Sequence, residues 1–132
     1  MGFKKYIILI SLEKWWVMEK EERLELIKND LRNSRDILMN FGDENRQKIL
    51  LVLLENCANG GIRVGDIAEK VNLSRPAVSH HLKMLLENGI VYVEKKGTKN
   101  YYHVAGVDRI LTLSSLFNNI ELYVMERMEE IK

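Results

Sequence analysis

Residues 73–89, LSRPAVSHHLKMLLENG, constrain this chain more than any other part of its sequence. Ser74 can cap a helix, and Pro76 is tolerated in a first turn because the early N–H groups lack intrahelical partners. Asn88-Gly89 supplies a residue that accepts the left-handed conformation at the helix end. Between these signals, apolar residues recur at helical spacing and predict one buried stripe, made of Val78, Leu82, Leu85 and Leu86.

The opposite face of this predicted helix is polar, and its side chains are mostly short or basic. Its members are Arg75, Ser79, His80, Lys83 and Glu87. Small residues allow close approach, donors reach base edges and phosphates, and the positive end of the helix dipole favours a nearby phosphate. The face therefore suits a helix that lies in the major groove of double-stranded DNA.

The segments on either side of this helix support that interpretation. Residues 64–71 predict a short helix that is apolar on one side, and Asn72-Leu73 makes the turn of a helix-turn-helix. Residues 91–96 and 101–104 are β-favouring runs around a turn at residues 97–100, and they predict a hairpin. Lys95, Lys96 and Lys99 near its tip are typical of a wing that contacts the DNA backbone.

From residue 42 to about residue 104, the sequence resembles the ArsR-type (ArsR/SmtB) winged helix-turn-helix regulators. The matching residues are Arg46 with Ile49, Leu50 and Leu53; Val64-Gly65-Asp66-Ile67-Ala68; Leu73-Ser74; Ala77-Val78-Ser79-His80-His81-Leu82-Lys83; Gly89-Ile90-Val91; and Gly97 with Tyr101-Tyr102. The combination of AVSHHLK, GIV and a YY strand is far more specific than a general helix-turn-helix match. The resemblance implies a homodimeric transcriptional regulator that binds a two-fold operator, and it leaves the effector open because effectors vary across the family.

The expected fold class is mainly α (α+β), a winged helix-turn-helix with extra N- and C-terminal dimerisation helices in a single domain. Residues 1–41 are expected to hold an N-terminal extension and the first dimer helix, residues 42–104 the winged-helix core, and residues 105–132 the C-terminal dimer helix. Residues 19–41 predict one long charged helix, in which Arg35 and Asp36 interrupt the apolar run and leave a kink possible. Residues 44–56 predict a central core helix that is apolar nearly all round. The broad apolar surface after residue 105 exceeds what a small domain can bury alone, which favours a homodimer.

Composition is that of a small soluble protein with unevenly distributed charge. The 132 residues carry a net charge of only +1, so the basic residues near the predicted helix and wing form a local patch rather than a general polycation. The single cysteine, Cys57, fits a reducing cytoplasm and is expected to be a small core residue at a helix end.

Residues 1–17 are the least interpretable part of the sequence. Their apolar run is too short to cross a bilayer, is interrupted by Glu13 and Lys14, and is not followed by a cleavage site, so no membrane partner is expected. The segment either packs on the dimer or is an upstream extension before a true start at Met18.

No metal, other cofactor or catalytic activity is expected. Many ArsR-type relatives carry a cysteine pair in the helix that corresponds to residues 64–71, or an Asp/His set in the last helix, and the cysteine positions here are Arg63 and Gly65. The last helix has Asp108 but no histidine, and Cys57 is one ligand where a structural zinc site needs about four. The sequence offers no Ser/His/Asp arrangement and no phosphate-binding glycine loop, so an enzyme is not expected.

The residues expected to contact DNA fall into two classes. Phosphate contacts are expected from Ser74, Arg75, Lys95, Lys96, Lys99 and the hydroxyl of Tyr102. Base contacts are expected from Ser79, His80 and Lys83, with Arg75 as a further candidate. His81 is expected to flank the core stripe, and His103 to be structural.

Two other functions stay open at this point. A small-molecule-responsive regulator of the same fold would bind its effector between the terminal helices, in a pocket lined by Trp15, Trp16, Phe117, Tyr123 and Met125, although these residues would equally suit plain dimer packing. A winged-helix protein-interaction module would use the fold for a protein partner, because fold does not determine function. The basic helix and wing favour DNA over a protein partner, with repression as the first expectation and activation as the open alternative.

Overall fold

The computed structural model describes Trp15 and residues 17–131, and these residues form helices and one two-stranded sheet. The helices are α1 (Lys20–Asn33), α2 (Arg35–Phe41), α3 (Glu44–Glu55), α4 (Val64–Val71), α5 (Arg75–Glu87) and α6 (Val107–Ile131), and the strands are β1 (Val91–Lys96) and β2 (Lys99–Val104). The chain divides into two compact units, one of which runs from Asp36 to Val107 and the other of which combines the residues before and after it. A mainly helical chain with one small sheet confirms the predicted fold class.

The core of the unit from Asp36 to Val107 is built around α5, which packs on α3, α4 and β1. The predicted stripe is buried at Val78, Leu82 and Leu85, each of which is at most 1% exposed. Facing residues complete the core: Ile49, Leu50 and Leu53 of α3, Ile67 and Ala68 of α4, and Ile90 and Val91 at the start of the hairpin. Each large aliphatic side chain buried in this way contributes about 1.5–3 kcal/mol.

The hairpin that follows α5 is shorter at its turn than the sequence predicts. The strands pair antiparallel from Val91 with Val104 to Lys96 with Lys99, so the turn consists of two residues, Gly97 and Thr98. Gly97 has a φ of +63°, the left-handed conformation that two-residue hairpin turns favour. The hairpin itself is confirmed, whereas Lys99 and Asn100 belong to β2 and not to the turn.

An isolated backbone pairing joins the hairpin to the segment before α4. Ile62 and Tyr102 exchange two hydrogen bonds, with N···O distances of 2.8 and 3.2 Å. Since Ile62 precedes α4 by only two residues, this pairing holds the base of the wing beside the start of the helix-turn-helix.

In the other unit, Trp15 packs within a polar cluster that involves α1 and α6. Trp15 is 1% exposed, and its indole N–H donates to Glu126 Oε1 at 2.8 Å. Arg23 donates to the other oxygen of the same carboxylate and, through Nε, to the Trp15 carbonyl oxygen at 3.1 Å. These contacts of Trp15 lie within its own chain. Trp16 and the residues before Trp15 lie outside the described part of the chain, so the packing of the N-terminal segment on a dimer stays a prediction.

Three sequence-based expectations about the helices are wrong. Residues 19–41 form two helices, because the chain breaks at the buried Ser34 between α1 and α2. The helix α3 is buried on one side only: Leu51 and Leu54 are 59% and 53% exposed, since α4, α5 and β2 pack against its other side. Cys57 is exposed, because it lies in the turn that follows the end of α3 and not in the core.

The one-sided burial of α3 can be tested with two neighbouring leucines. We expect Leu53→Ala, at a side chain 1% exposed, to lower the free energy of unfolding by roughly 2–5 kcal/mol in urea denaturation. Leu54→Ala is the matched control, and we expect it to cost less than about 1 kcal/mol. Similar losses in the two variants would contradict the orientation of α3.

Candidate nucleic-acid interface

The ends of α5 are set by the residues that the sequence indicated. Ser74 caps the helix, because its side-chain oxygen accepts a hydrogen bond from the Ala77 N–H at 3.2 Å. Pro76 lies in the first turn, and Gly89 follows the last turn with a φ of +67°. These signals place the first turn of α5 directly after the Asn72-Leu73 turn, where Asn72 itself is left-handed with a φ of 55°.

The predicted polar face of α5 is the face that reaches solvent. Arg75, Ser79, His80 and Lys83 are all exposed, and so is the capping Ser74. The opposite stripe is buried in the core, so the helix presents one polar surface that begins at its N-terminus. A surface with this polarity can approach an anionic backbone and donate hydrogen bonds to base edges.

A cleft of about 410 Å³ joins the start of α5 to the hairpin. Its lining residues come from the start of α4, the start of α5 and the hairpin tip: Arg63, Val64, Gly65, Asp66, Arg75, Ser79, Thr98 and Asn100. Of the nine residues predicted from sequence to contact DNA, only Arg75 and Ser79 line it. The cleft carries two arginines against one carboxylate, so its charge favours an anion.

Arg75 lies against the backbone of α4 at Gly65. A methyl group added at Gly65 would stand 2.9 Å from one guanidinium nitrogen of Arg75 and 3.1 Å from its central carbon. The close approach therefore depends on the missing side chain at Gly65. The guanidinium of Arg75 therefore lies at the start of α4, in the lining of the cleft.

Six lining residues of this cleft were not predicted to contact DNA: Arg63, Val64, Gly65, Asp66, Thr98 and Asn100. The sequence points to Arg63 and Gly65 as positions where a metal-binding relative carries cysteine, and not as DNA contacts. A basic residue at the N-cap of α4, two residues before a glycine, is the signal that could have placed Arg63 in the cleft. Thr98 and Asn100 carry no comparable signal, because their position depends on how the hairpin folds back.

The three wing lysines lie on two different faces of the hairpin. Side chains alternate along a strand, so Lys95 shares a face with its partner Asn100, while Lys96 and its partner Lys99 share the other. Lys96 Nζ lies 3.1 Å from Glu94 Oε1, and the charge of Lys96 is therefore partly matched within the wing. Lys95, on the face of the cleft residue Asn100, is the lysine best placed to extend the cleft surface.

The remaining predicted residues are placed as follows. Tyr102 is half-buried on the hairpin, and its backbone is held by Ile62. His81 is partly buried beside α3, whereas His80 faces solvent. The imidazole of His103 is buried and stacks on Tyr92 with ring centroids 4.7 Å apart, which agrees with a structural role.

The residues predicted to line an effector pocket differ in exposure, and Trp16 among them lies outside the described residues. Trp15 is buried and bonded to Glu126, while Phe117 and Met125 are more than half exposed. A cavity of about 350 Å³ in the same unit is lined instead by Asp30, Asp108, Leu111, Thr112 and Ser115. Burial raises the pKa of Asp30 above its usual range. Whether any effector binds the protein stays a prediction.

Within the described residues, no three His, Cys, Asp or Glu side chains come together as a group that could hold a metal ion. None of the helices described is long and apolar enough to cross a membrane.

Comparison with known proteins identifies the family. Residues 42–92 match the family model described as winged helix-turn-helix DNA-binding. The HTH-type transcriptional regulator MJ1325 of Methanocaldococcus jannaschii is 35% identical over 85 residues, which is 64% of this chain and 91% of that protein. The arsenical resistance operon repressor of Staphylococcus aureus is 33% identical, over 62% of this chain and 77% of the repressor. This chain belongs to the ArsR-type winged helix-turn-helix family of transcriptional regulators.

A solved structure supports the same assignment. The homodimeric winged helix-turn-helix DNA-binding domain of a possible ArsR-family regulator from Mycobacterium bovis superposes with a TM-score of 0.53 and 26% identity, over 72% of this chain and 87% of that domain. The ArsR-type relatives are DNA-binding transcriptional regulators and not enzymes, in agreement with the expectation from the sequence. Within the family, the helix-turn-helix of this chain is α4 and α5, and its wing is the β1–β2 hairpin.

The contact between Arg75 and Gly65 can be tested with a substitution that should weaken DNA binding without lowering the stability of the protein. We expect Gly65→Ala to displace the Arg75 guanidinium and weaken DNA binding by about 1.5 kcal/mol, the size of one hydrogen bond to a charged group. Stability should be unchanged or raised by up to about 1 kcal/mol, because alanine is the better helix former. Fluorescence anisotropy and thermal melting measure the two quantities.

A double-mutant cycle supplies the control for this prediction. In an Arg75→Ala background, Gly65→Ala should cause no further loss of binding, because the side chain that it displaces is already absent. A full additional loss would mean that Gly65 acts independently of Arg75.

Proposed function

We propose that this chain is a homodimeric repressor that binds an inverted-repeat operator through the major groove and does so without the metal ligands usual in the family. The observation that carries the proposal is the single polar surface shared by the start of α5 and the hairpin, in which Arg75 and Ser79 lie in one cleft with Asn100. Such a surface can read bases with α5 and hold the backbone with the wing.

Each exposed side chain then has a role on DNA. Base readout falls to Ser79, His80 and Lys83 on the exposed face of α5. Phosphate contacts fall to Ser74, Arg75, Lys95, Lys96, Lys99 and Tyr102, and Arg63 joins them through the cleft. Among the lysines, Lys96 contributes least, because it must first separate from Glu94.

A second copy of the chain accounts for an apolar stripe along α6. Ile110, Phe117, Val124 and Ile131 recur at every seventh residue, and each is more than two-fifths exposed. A seven-residue repeat presents a continuous seam to a partner helix. The homodimeric relative from M. bovis is consistent with this arrangement. Two copies would read half-sites about 34 Å apart, or one helical turn of DNA.

Repression is favoured by the S. aureus relative, which is itself an operon repressor. Its response to arsenicals is not carried over, because Arg63 and Gly65 stand where the sequence comparison would require cysteines. As a DNA-binding regulator, the protein would act in the cytoplasm, as the cysteine content also suggested.

The division between base and phosphate contacts can be tested with two lysines. We expect Lys83→Ala to cost more on DNA from the region upstream of its own gene than on scrambled DNA, because a base contact depends on sequence. Lys99→Ala should weaken binding to both alike and lower the salt slope by about one per half-site. Anisotropy titrations over a salt series measure both effects. Equal losses for Lys83→Ala would assign Lys83 to the backbone, and a loss confined to the upstream DNA would exclude Lys99 as a phosphate contact.

The dimer can be tested on the exposed stripe of α6. We expect the wild-type protein to sediment as a dimer and Phe117→Glu to sediment as a monomer, because a charge in an apolar seam is left unpaired. Asp108→Asn, at an exposed position on the opposite side of the same helix, is the control and should remain dimeric. A wild-type monomer at micromolar concentration would contradict the proposed assembly.

A further inference from the structure

The start of α3 carries an arginine that is buried and directed at α5. The side chain of Arg46 is 10% exposed. Its Nη1 lies 3.3 Å from His81 Nδ1 and donates to Met84 Sδ, also at 3.3 Å, while its Nη2 lies 3.7 Å from Asp43 Oδ2. A buried charge destabilises a fold unless it is paired and hydrogen-bonded, so these partners are what allow Arg46 to occupy the interior.

Asp43 prepares Arg46 for this contact. Its side chain caps α3 by accepting a hydrogen bond from the Arg46 backbone N–H at 2.9 Å. That bond, followed by the charge of the Arg46 side chain, lowers the pKa of Asp43, so the carboxylate stays ionised. The cap and the ion pair together fix the base of the Arg46 side chain on α3 and leave its guanidinium tip to reach α5.

The contact with His81 is possible in one protonation state of the imidazole. Arginine has five N–H donors and no acceptor, so the His81 Nδ1 that faces Nη1 must carry a lone pair. His81 is therefore neutral, with its proton on Nε2. Protonation would place an N–H donor and a positive charge against the guanidinium and would break the contact between Arg46 and His81.

We propose that Arg46 is a positioning residue that orients the DNA-reading face of α5 through the neutral form of His81, and that protonation of His81 weakens DNA binding. His81 is flanked by His80 and lies two residues before Lys83, so a shift of α5 at this point moves two residues of the proposed base-reading set. The inference rests on the proposed role of α5 in reading DNA.

The charges around His81 set the direction of the pH dependence. Asp43 and Arg46 face the ring from α3, and His80 faces it from α5, with the two imidazoles in edge contact at 5.8 Å between centroids. Burial lowers the pKa of His81, the positive charges of Arg46 and His80 lower it further, and Asp43 opposes them. Because the unfolded chain then binds the proton more readily, stability from this group is present above about pH 6.5 and is lost as the pH falls toward the lowered pKa.

An NMR titration tests the contact itself. The chain has three histidines, and single substitutions assign their ring signals. We expect His81 to be the Nε2–H tautomer, with a pKa below the ordinary value of a histidine. Arg46→Met should raise the pKa of His81, because the donor and the positive charge are removed while Asp43 stays. A His81 titration that is the same in Arg46→Met and in the wild type would overturn the proposal.

DNA binding tests the consequence. From about pH 7.5 to about pH 5.5, we expect wild-type affinity for duplex DNA from upstream of its own gene to fall roughly two- to tenfold, as the competent fraction shrinks. His81→Asn keeps an acceptor near the position of Nδ1 but does not titrate, so it should retain wild-type affinity at the higher pH and lose less at the lower one. Circular dichroism checks that His81→Asn is folded. If Arg46→Met does not fold, the pH dependence of His81→Asn still tests the proposal.

The outcomes separate this inference from the proposed function. Equal acid sensitivity in the wild type and in His81→Asn would overturn the inference while leaving DNA binding intact. Absence of DNA binding by the wild type at the higher pH would contradict the proposed function and, with it, the effect on binding, whereas the NMR titration would still decide the contact between Arg46 and His81.

Discussion

The exposed face of α5 depends on the burial of the opposite stripe of the same helix. Successive helical residues are about 100° apart, so burying Val78, Leu82 and Leu85 fixes the direction of every other side chain on α5. The three side chains together contribute roughly 5–9 kcal/mol, comparable to the whole stability of a typical domain. Rotating α5 to expose another face would therefore unfold the unit, and the polar surface is a consequence of the core.

The charged residues of the unit from Asp36 to Val107 differ in how deeply they are buried. The pair between Lys96 and Glu94 is about half exposed, and such pairs contribute at most about 1 kcal/mol, so it biases Lys96 without locking it. Arg46 is buried, and the loss of one partner would leave an uncompensated interior charge. The wing can therefore adjust its lysines to a backbone, while the joint between α3 and α5 has one favoured arrangement.

The sequence predicts those features of the fold that depend on interactions between neighbouring residues. Ser74 as a cap, Gly89 at the helix end and the buried stripe of α5 all follow from hydrogen-bonding and periodicity within a few residues. The same reasoning failed where distant segments meet. Nothing local to Gly65 indicates that Arg75 will lie on it, and the pleat that separates Lys95 from Lys96 follows from the strand register. The exposure of Leu51 and Leu54 and of Cys57 likewise depends on which sides of α3 the rest of the unit covers.

The helix α6 divides its surface between two tasks within its own unit. Glu126 and the buried Asn119 lie on one side, where Glu126 binds Trp15 and Arg23. At about 100° per residue, Phe117 and Val124 lie on the opposite side, in the exposed seven-residue repeat. Folding of the unit explains the first side, because Glu126 accepts hydrogen bonds there from Trp15 and Arg23. It does not explain a continuous apolar seam left in water, which costs free energy until another surface covers it. Since the two sides are separate, a second copy can cover the seam without displacing Trp15 from its partners.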